Sequence, residues 1–116
     1  MQPPNYTTGS IDRVDLDTGA ITTVYTHCDG ANLRDPNDLV FDSAGGFWFT
    51  DMGKSRPGVQ DCGAVYYAQP DGSSITRIPG NFNMANGIGL SPDESVLYVS
   101  ETVGGHVWAS SSRDPA

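Results

Sequence analysis

Uninterrupted sequence is what this chain lacks most: no stretch free of both glycine and proline exceeds 11 residues, the run from Asp93 to Val103. An average helix needs about that length unbroken, so little helix is expected. Basic residues are also scarce. Arg13, Arg34, Lys54, Arg56, Arg77 and Arg113 are set against 14 acids, for a net charge of -8. They are scattered rather than gathered into a stripe, so nothing is offered to a phosphate backbone and nucleic-acid binding is not expected. Long apolar runs are missing too. The start, Met1-Gln2-Pro3-Pro4, has neither the basic region nor the apolar run of a secretion signal, and no segment is long enough to span a membrane. A soluble, cytoplasmic chain without a membrane partner is the expectation. Of the two cysteines, Cys28 and Cys62, neither sits in a CxxC or a His-rich cluster, which leaves no structural zinc motif. Spacing alone does not show whether they pair. Asn5-Tyr6-Thr7 is a glycosylation sequon, which matters only in a secreted protein.

What the chain does have is short clusters of Val, Ile, Phe, Tyr and Trp bounded by turn residues, the pattern of strands, so an all-β fold follows. The clusters also recur. Asn37-Asp38-Leu39-Val40-Phe41-Asp42, a turn and Phe47-Trp48-Phe49-Thr50-Asp51 match Asn86-Gly87-Ile88-Gly89-Leu90-Ser91, a turn and Leu97-Tyr98-Val99-Ser100-Glu101, with one extra residue in the second turn. Gly9-Ser10-Ile11-Asp12-Arg13-Val14 is echoed by Gly63-Ala64-Val65-Tyr66-Tyr67-Ala68 and again by Gly105-His106-Val107-Trp108-Ala109. A four-stranded antiparallel unit recurring every 40 to 50 residues or so is the blade of a β-propeller. The spacing predicts the second half of a blade over 9–26, one complete blade over 36–80, the first half of the next over 85–109 and a frayed polar tail over 110–116. Ser43-Ala44-Gly45-Gly46 and Asp71-Gly72 are expected hairpin turns, and Trp48 and Trp108 are expected to pack between blades. Propellers close with about four to eight blades, each burying its faces on its neighbours, so a partial propeller leaves apolar faces bare. The chain is therefore expected either to belong to a longer protein or to self-associate until a ring is complete.

Equivalent positions of neighbouring blades lie at equivalent heights in the ring. Asn37 and Asn86 should therefore enter the channel-lining strands side by side, where their amide oxygens could join carboxylates around a hard cation such as calcium. Spacing alone favours a plainer reading, with Asn86-Gly87 a turn dipeptide and Pro36-Asn37-Asp38 a loop. Other constellations fail. Gly89-Leu90-Ser91-Pro92-Asp93 starts like a nucleophile elbow but ends in Asp, with no helix to follow. Asp15-Leu16-Asp17-Thr18-Gly19 resembles part of an EF-hand loop, yet no Glu closes it, so a hairpin turn is the better reading. His27 and His106 stand alone and read as structural.

Pro36-Asn37-Asp38-Leu39-Val40-Phe41-Asp42, Gly45-Gly46-Phe47-Trp48-Phe49-Thr50-Asp51, Gly63-Ala64-Val65-Tyr66-Tyr67, Ala85-Asn86-Gly87-Ile88-Gly89-Leu90-Ser91-Pro92-Asp93-Glu94 and Leu97-Tyr98-Val99-Ser100-Glu101-Thr102, in that order, resemble the middle of the senescence marker protein/gluconolactonase (regucalcin-like) family. Its drug-responsive lactonase branch is the nearest. The resemblance implies a six-bladed propeller that hydrolyses a sugar lactone or other small lactone with a divalent cation, calcium or zinc, in its channel. It implies that Asn86 is a metal ligand and that Asn37 lies beside the substrate or its water. Asp51, ending a strand in Thr-Asp, becomes a candidate for a second, structural calcium. The family also takes a metal-binding Glu from its first blade and a metal-binding, proton-handling Asp from a blade beyond the Asn-Gly segment, and neither region falls within residues 1–116. Many members carry an Arg two residues before the first Asn, where this chain has Asp35, with Arg34 one step earlier. The expectation is a piece of a lactonase, inert by itself. The alternative is a non-catalytic propeller module that oligomerises or binds a partner. The asparagine pair argues against the alkaloid-condensing synthases, whose blades look similar.

Overall fold

The computed structural model describes residues 8–53, 55–56, 59–60, 63–80, 82, 84–102 and 105–111, and these contain strands and turns with no helix. β1 (Ile11–Val14) and β2 (Ile21–Tyr25) form a hairpin. Its turn is held by Asp15, whose Oδ1 accepts N–H from Asp17 and Thr18 at 2.9 and 3.1 Å, so Asp15 to Gly19 is a hairpin turn. A two-residue pair, β3 (His27–Cys28) with β4 (Ala31–Asn32), leads into the main sheet. That sheet contains β5 (Pro36–Phe41) and β6 (Phe47–Asp51); a second small pair follows, β7 (Ser55–Arg56) with β8 (Val59–Gln60). β9 (Ala64–Ala68) and β10 (Ile75–Arg77) complete it in the order β10-β9-β6-β5, every neighbour antiparallel. The last sheet is β11 (Ala85–Leu90), β12 (Val96–Glu101) and β13 (Val107–Ser111), in that order.

The four-stranded sheet is sandwiched, and its central strand shows it. All five residues of β6 are buried, which alternation allows only when both faces are covered. Phe47 and Phe49 point into one core with Tyr25, Leu33, Ala64 and Tyr66, against the β1–β2 hairpin. Trp48 points the other way, into a core with Val65, Ala85, Leu97 and Val99, against the last sheet. Cross-strand aromatic pairs fix the register on both sides. Phe49 stacks on Tyr66 with centroids 5.0 Å apart, and Trp48 meets Tyr67 at 4.6 Å. Tyr67 in turn donates its hydroxyl to Asp42 Oδ2 at 2.8 Å. Burial pushes its phenol up, and the Asp42 bond adds to the shift.

Several particulars differ from the sequence expectations. The expected polar tail from residue 110 loses its first two members to β13, where Ser110 and Ser111 pair with Leu97 and Val96. Backbone pairing is indifferent to side-chain polarity, and β12 is long enough to template the extra residues. His106 precedes β13 rather than beginning it. Trp48 is buried between sheets, but Trp108 is 49% exposed and meets Phe82 edge-on, with centroids 6.4 Å apart. Cys28 is buried and unpaired, while Cys62, like Asn5, lies outside the described residues.

Candidate functional site

Asn37 and Asn86 are strand residues, not turn residues. Each is the second residue of its sheet's first strand, Asn37 in β5 and Asn86 in β11. The turn reading fails because both segments find strand partners that local propensity cannot foresee. Each strand carries the same irregularity at the asparagine. The pairing of Pro36 with Asp51 shifts before Leu39 meets Phe49, and that of Ala85 with Glu101 shifts before Ile88 meets Val99. Such bulges re-aim a side chain beside a sheet edge. β11 lies against β5, so the two bulges are neighbours.

The repeat extends to individual hydrogen bonds. The backbone N–H after each asparagine, of Asp38 and Gly87, donates to a hydroxyl of the second strand: Thr50 Oγ1 at 3.2 Å and Ser100 Oγ at 2.9 Å. The residue past each strand-end acid, Met52 or Thr102, donates its own N–H to the carbonyl two residues before the asparagine, of Asp35 or Met84, at 3.0 and 3.2 Å. Its side chain also receives the asparagine amide: Asn37 Nδ2 reaches Met52 Sδ at 3.2 Å, and Asn86 Nδ2 reaches Thr102 Oγ1 at 2.9 Å. With Nδ2 engaged in this way, Oδ1 is the end of each amide left to act as an acceptor.

Blade to blade, the site is bolted by Thr50 and Asp38. The Thr50 hydroxyl, fully buried, donates to the carbonyl of Asn86 at 2.5 Å. Asp38 Oδ2 accepts N–H from Ile88 at 3.2 Å. The peptides on either side of Gly87, directly after Asn86, are thus held by the preceding blade. Close approach at this end depends on Gly63, where an added Cβ would meet Ala85 N and Asp51 O at 2.8 Å and Phe82 O at 2.9 Å.

Asp51 has another task. Only 2% exposed, its carboxylate accepts N–H from Arg34 at 2.7 Å, Asp35 at 2.8 Å and Gly53 at 2.9 Å. It thereby fixes the approach to β5 and the exit from β6 on either side of Asn37. Beside it opens a cavity of about 340 Å³ lined by residues that include Cys28, Arg34, Tyr66 and Arg77. Burial raises both the Tyr66 phenol and the Cys28 thiol, with Asp51 and Asp29 respectively adding to the shift. Among the described residues, no three His, Cys, Asp or Glu side chains gather as a ligating cluster. The asparagines were legible as a repeated pair; the acceptors at 52 and 102 were not, because Met and Thr share no motif.

Comparison with known proteins places this geometry. A segment of 67 residues is 54% identical to lactonase drp35 of Staphylococcus epidermidis and 52% identical to lactonase drp35 of Staphylococcus aureus. It spans 57% of this chain and 20% of each of those proteins. Among solved structures, a gluconolactonase from Xanthomonas campestris superimposes with a TM-score of 0.76 at 35% identity. That match covers 92% of this chain and 39% of the gluconolactonase, so the chain spans well under half the length of the relatives it matches. The all-β fold is accordingly part of a β-propeller. The model of the SMP-30/Gluconolactonase/LRE-like region matches residues 7–115, and the chain belongs to that family.

Proposed function

We propose that this chain supplies two adjacent channel strands of a metal-dependent lactonase, with Asn86 as an oxygen ligand of the cation and Asn37 facing the substrate. The observation that carries this is the matched pair of bulged strands, each with its amide nitrogen engaged and its amide oxygen left as the acceptor end. A neutral amide oxygen is a hard donor that suits calcium better than zinc, which favours nitrogen and sulfur. Carboxylates must complete the ligand set. Asp51 is left out of it, since its oxygens serve three backbone amides.

When bound, a divalent cation supplies Lewis acidity that polarises the lactone carbonyl. The reaction adds water to that carbonyl and breaks the ring C–O bond, leaving a hydroxy acid. Asn86 holds its oxygen where the two blades meet, and Asn37 offers its oxygen to a substrate hydroxyl or water. Asp38, tied to Ile88 N–H, keeps the two strands in step. Within this chain no residue is assigned to proton transfer, so the chain by itself is expected to hydrolyse no lactone.

A calcium titration of a complete propeller containing these blades, followed at the side-chain amide resonances, tests the assignment. Asn86 is expected to shift first, and Asn86→Ala to remove the response while leaving the backbone spectrum unchanged. An Asn86 resonance indifferent to millimolar calcium, or lactone hydrolysis that Asn86→Ala leaves intact, overturns it.

A second reading, self-association, is favoured by one observation. Val65 and Val107 occupy the same position of the repeat, yet Val65 is fully buried and Val107 is 69% exposed. The outer face of the β11–β12–β13 sheet is therefore ready to accept another blade.

A further inference from the structure

Asn37 and Asn86 occupy the same bulge, but their acceptors differ in strength. A thioether sulfur accepts weakly, whereas a hydroxyl oxygen is a full acceptor. The Met52 side chain also turns about more bonds than that of Thr102, which is β-branched and stiff at χ1. Thr102 is itself placed by its backbone, through the bond from its N–H to Met84 O at 3.2 Å. Asn86 is therefore held at three points: its carbonyl by Thr50, the next N–H by Ser100, and its side-chain amide by Thr102. Asn37 is held at two of these, the next N–H by Thr50 and its side-chain amide by the weaker acceptor Met52.

We propose that Thr102 is the positioning residue of Asn86, fixing which end of the amide faces the channel, and that Met52 leaves Asn37 free to turn. The proposal rests on the cation reading of Asn86 given above. The division of labour is physical. A cation ligand gains from having its orientation fixed before binding, as with the hydrogen-bonded partners of metal ligands generally. A side chain that meets a substrate before and after ring opening gains from being able to exchange its oxygen for its nitrogen. Residue identity one step past the strand-end acid would then mark which inner-strand asparagine belongs to the cation and which to the substrate.

The test uses a complete propeller containing these blades, labelled with nitrogen-15, with calcium chloride as the probe. In the wild type, the Asn86 side-chain amide proton bonded to Thr102 is expected to exchange with water more slowly than the Asn37 amide protons. Thr102→Val keeps the shape and removes the acceptor. It is expected to abolish the protection at Asn86 and to raise the calcium midpoint roughly tenfold, within the usual effect of losing such a partner. Thr102→Ser is expected to restore both, and Met52→Thr to confer protection on Asn37. Thr102 is exposed, and an unchanged backbone spectrum reports that the variant folds. Protection at Asn86 that survives Thr102→Val, or a calcium midpoint that does not move, overturns the proposal. If the wild type shows no calcium response, the cation reading falls and the proposal with it. Loss of amide protection in Thr102→Val would still be visible and would identify that outcome.

Discussion

Gly63 shows what a single residue does here that no side chain could. Its N–H bonds Phe82 O at 2.7 Å, and backbone atoms of three segments crowd the place where a Cβ would stand. None of these neighbours is the far end of a flexible side chain, so Gly63→Ala must move β9 away from the start of β11. A loss of about 2–3 kcal/mol is expected from overpacking, read as a lowered midpoint in urea. Asp51→Asn tests the carboxylate clamp. An amide there presents N–H to N–H donors and loses the charge. The expected cost is about 3 kcal/mol, given that bonds to a charged acceptor contribute roughly 1.5–3 kcal/mol each. Tyr67 gives a pH signature. Its folded pKa is raised, so its contribution is fully present below the ordinary tyrosine value near 10 and is lost as pH climbs through the folded value. Ultraviolet titration should show a late-ionising tyrosine that Asp42→Asn brings forward. At this scale the sequence was least legible. Asp51 stood out as a strand-end acid, but its three donors come from positions 34, 35 and 53, which share no motif. Asn86-Gly87 read as a turn because a dipeptide reports local preference and not the bulge that tertiary pairing imposes.

Among elements, β6 carries the most. Like its neighbour β9 it touches both cores, and Thr50 on it bolts the next blade in place. Thr50→Val is close to isosteric but strands the partly buried Asp38 N–H and Asn86 carbonyl, at a cost of about 1–2 kcal/mol. Ser100 is the repeat equivalent of Thr50 and accepts from Gly87, and the sheet it belongs to has a bare outer face. Ser100→Ala should therefore cost about half as much, and paired thermal melts of the two variants would show the difference. Equal losses would mean that the inter-blade bond contributes nothing. The long strands were legible because clusters of β-branched and aromatic residues bounded by turns and a repeated block of sequence reinforce one another. β3–β4 and β7–β8 were not, since two residues carry no period. β13 outran its apolar residues for the same reason that Ser110 and Ser111 fit in it: a strand follows its neighbour's backbone.

For the molecule as a whole, the repeat tells where the surface is unfinished. On the face of the central sheet covered by the last one, Val40, Trp48, Val65 and Tyr67 pack inward. Their repeat equivalents in the last sheet are Gly89, Tyr98, Val107 and Ala109. There Tyr98 and Val107 are exposed, and a Cβ added at Gly89 would meet nothing within 4 Å. The all-β class and the bare faces followed from composition and repeat number, but which side chains lie open needed the stacking of the sheets. A face built to the pattern of a buried one should find a blade of the same pattern, and a second copy offers its β1–β2 hairpin, with Val14 and Ile21 exposed. Light scattering at rising concentration should then give a small whole multiple of 12.3 kDa, the number of copies whose sheets close a ring of about six blades. Tyr98→Lys with Val107→Lys should return it to a monomer without changing the melt of the central sheet. Because each copy carries a net charge of -8, association should strengthen with added salt as the mutual repulsion is screened. A wild-type chain that stays monomeric at every concentration and salt would show that the open face contributes too little to hold copies together, and the lactonase reading would then stand without self-assembly.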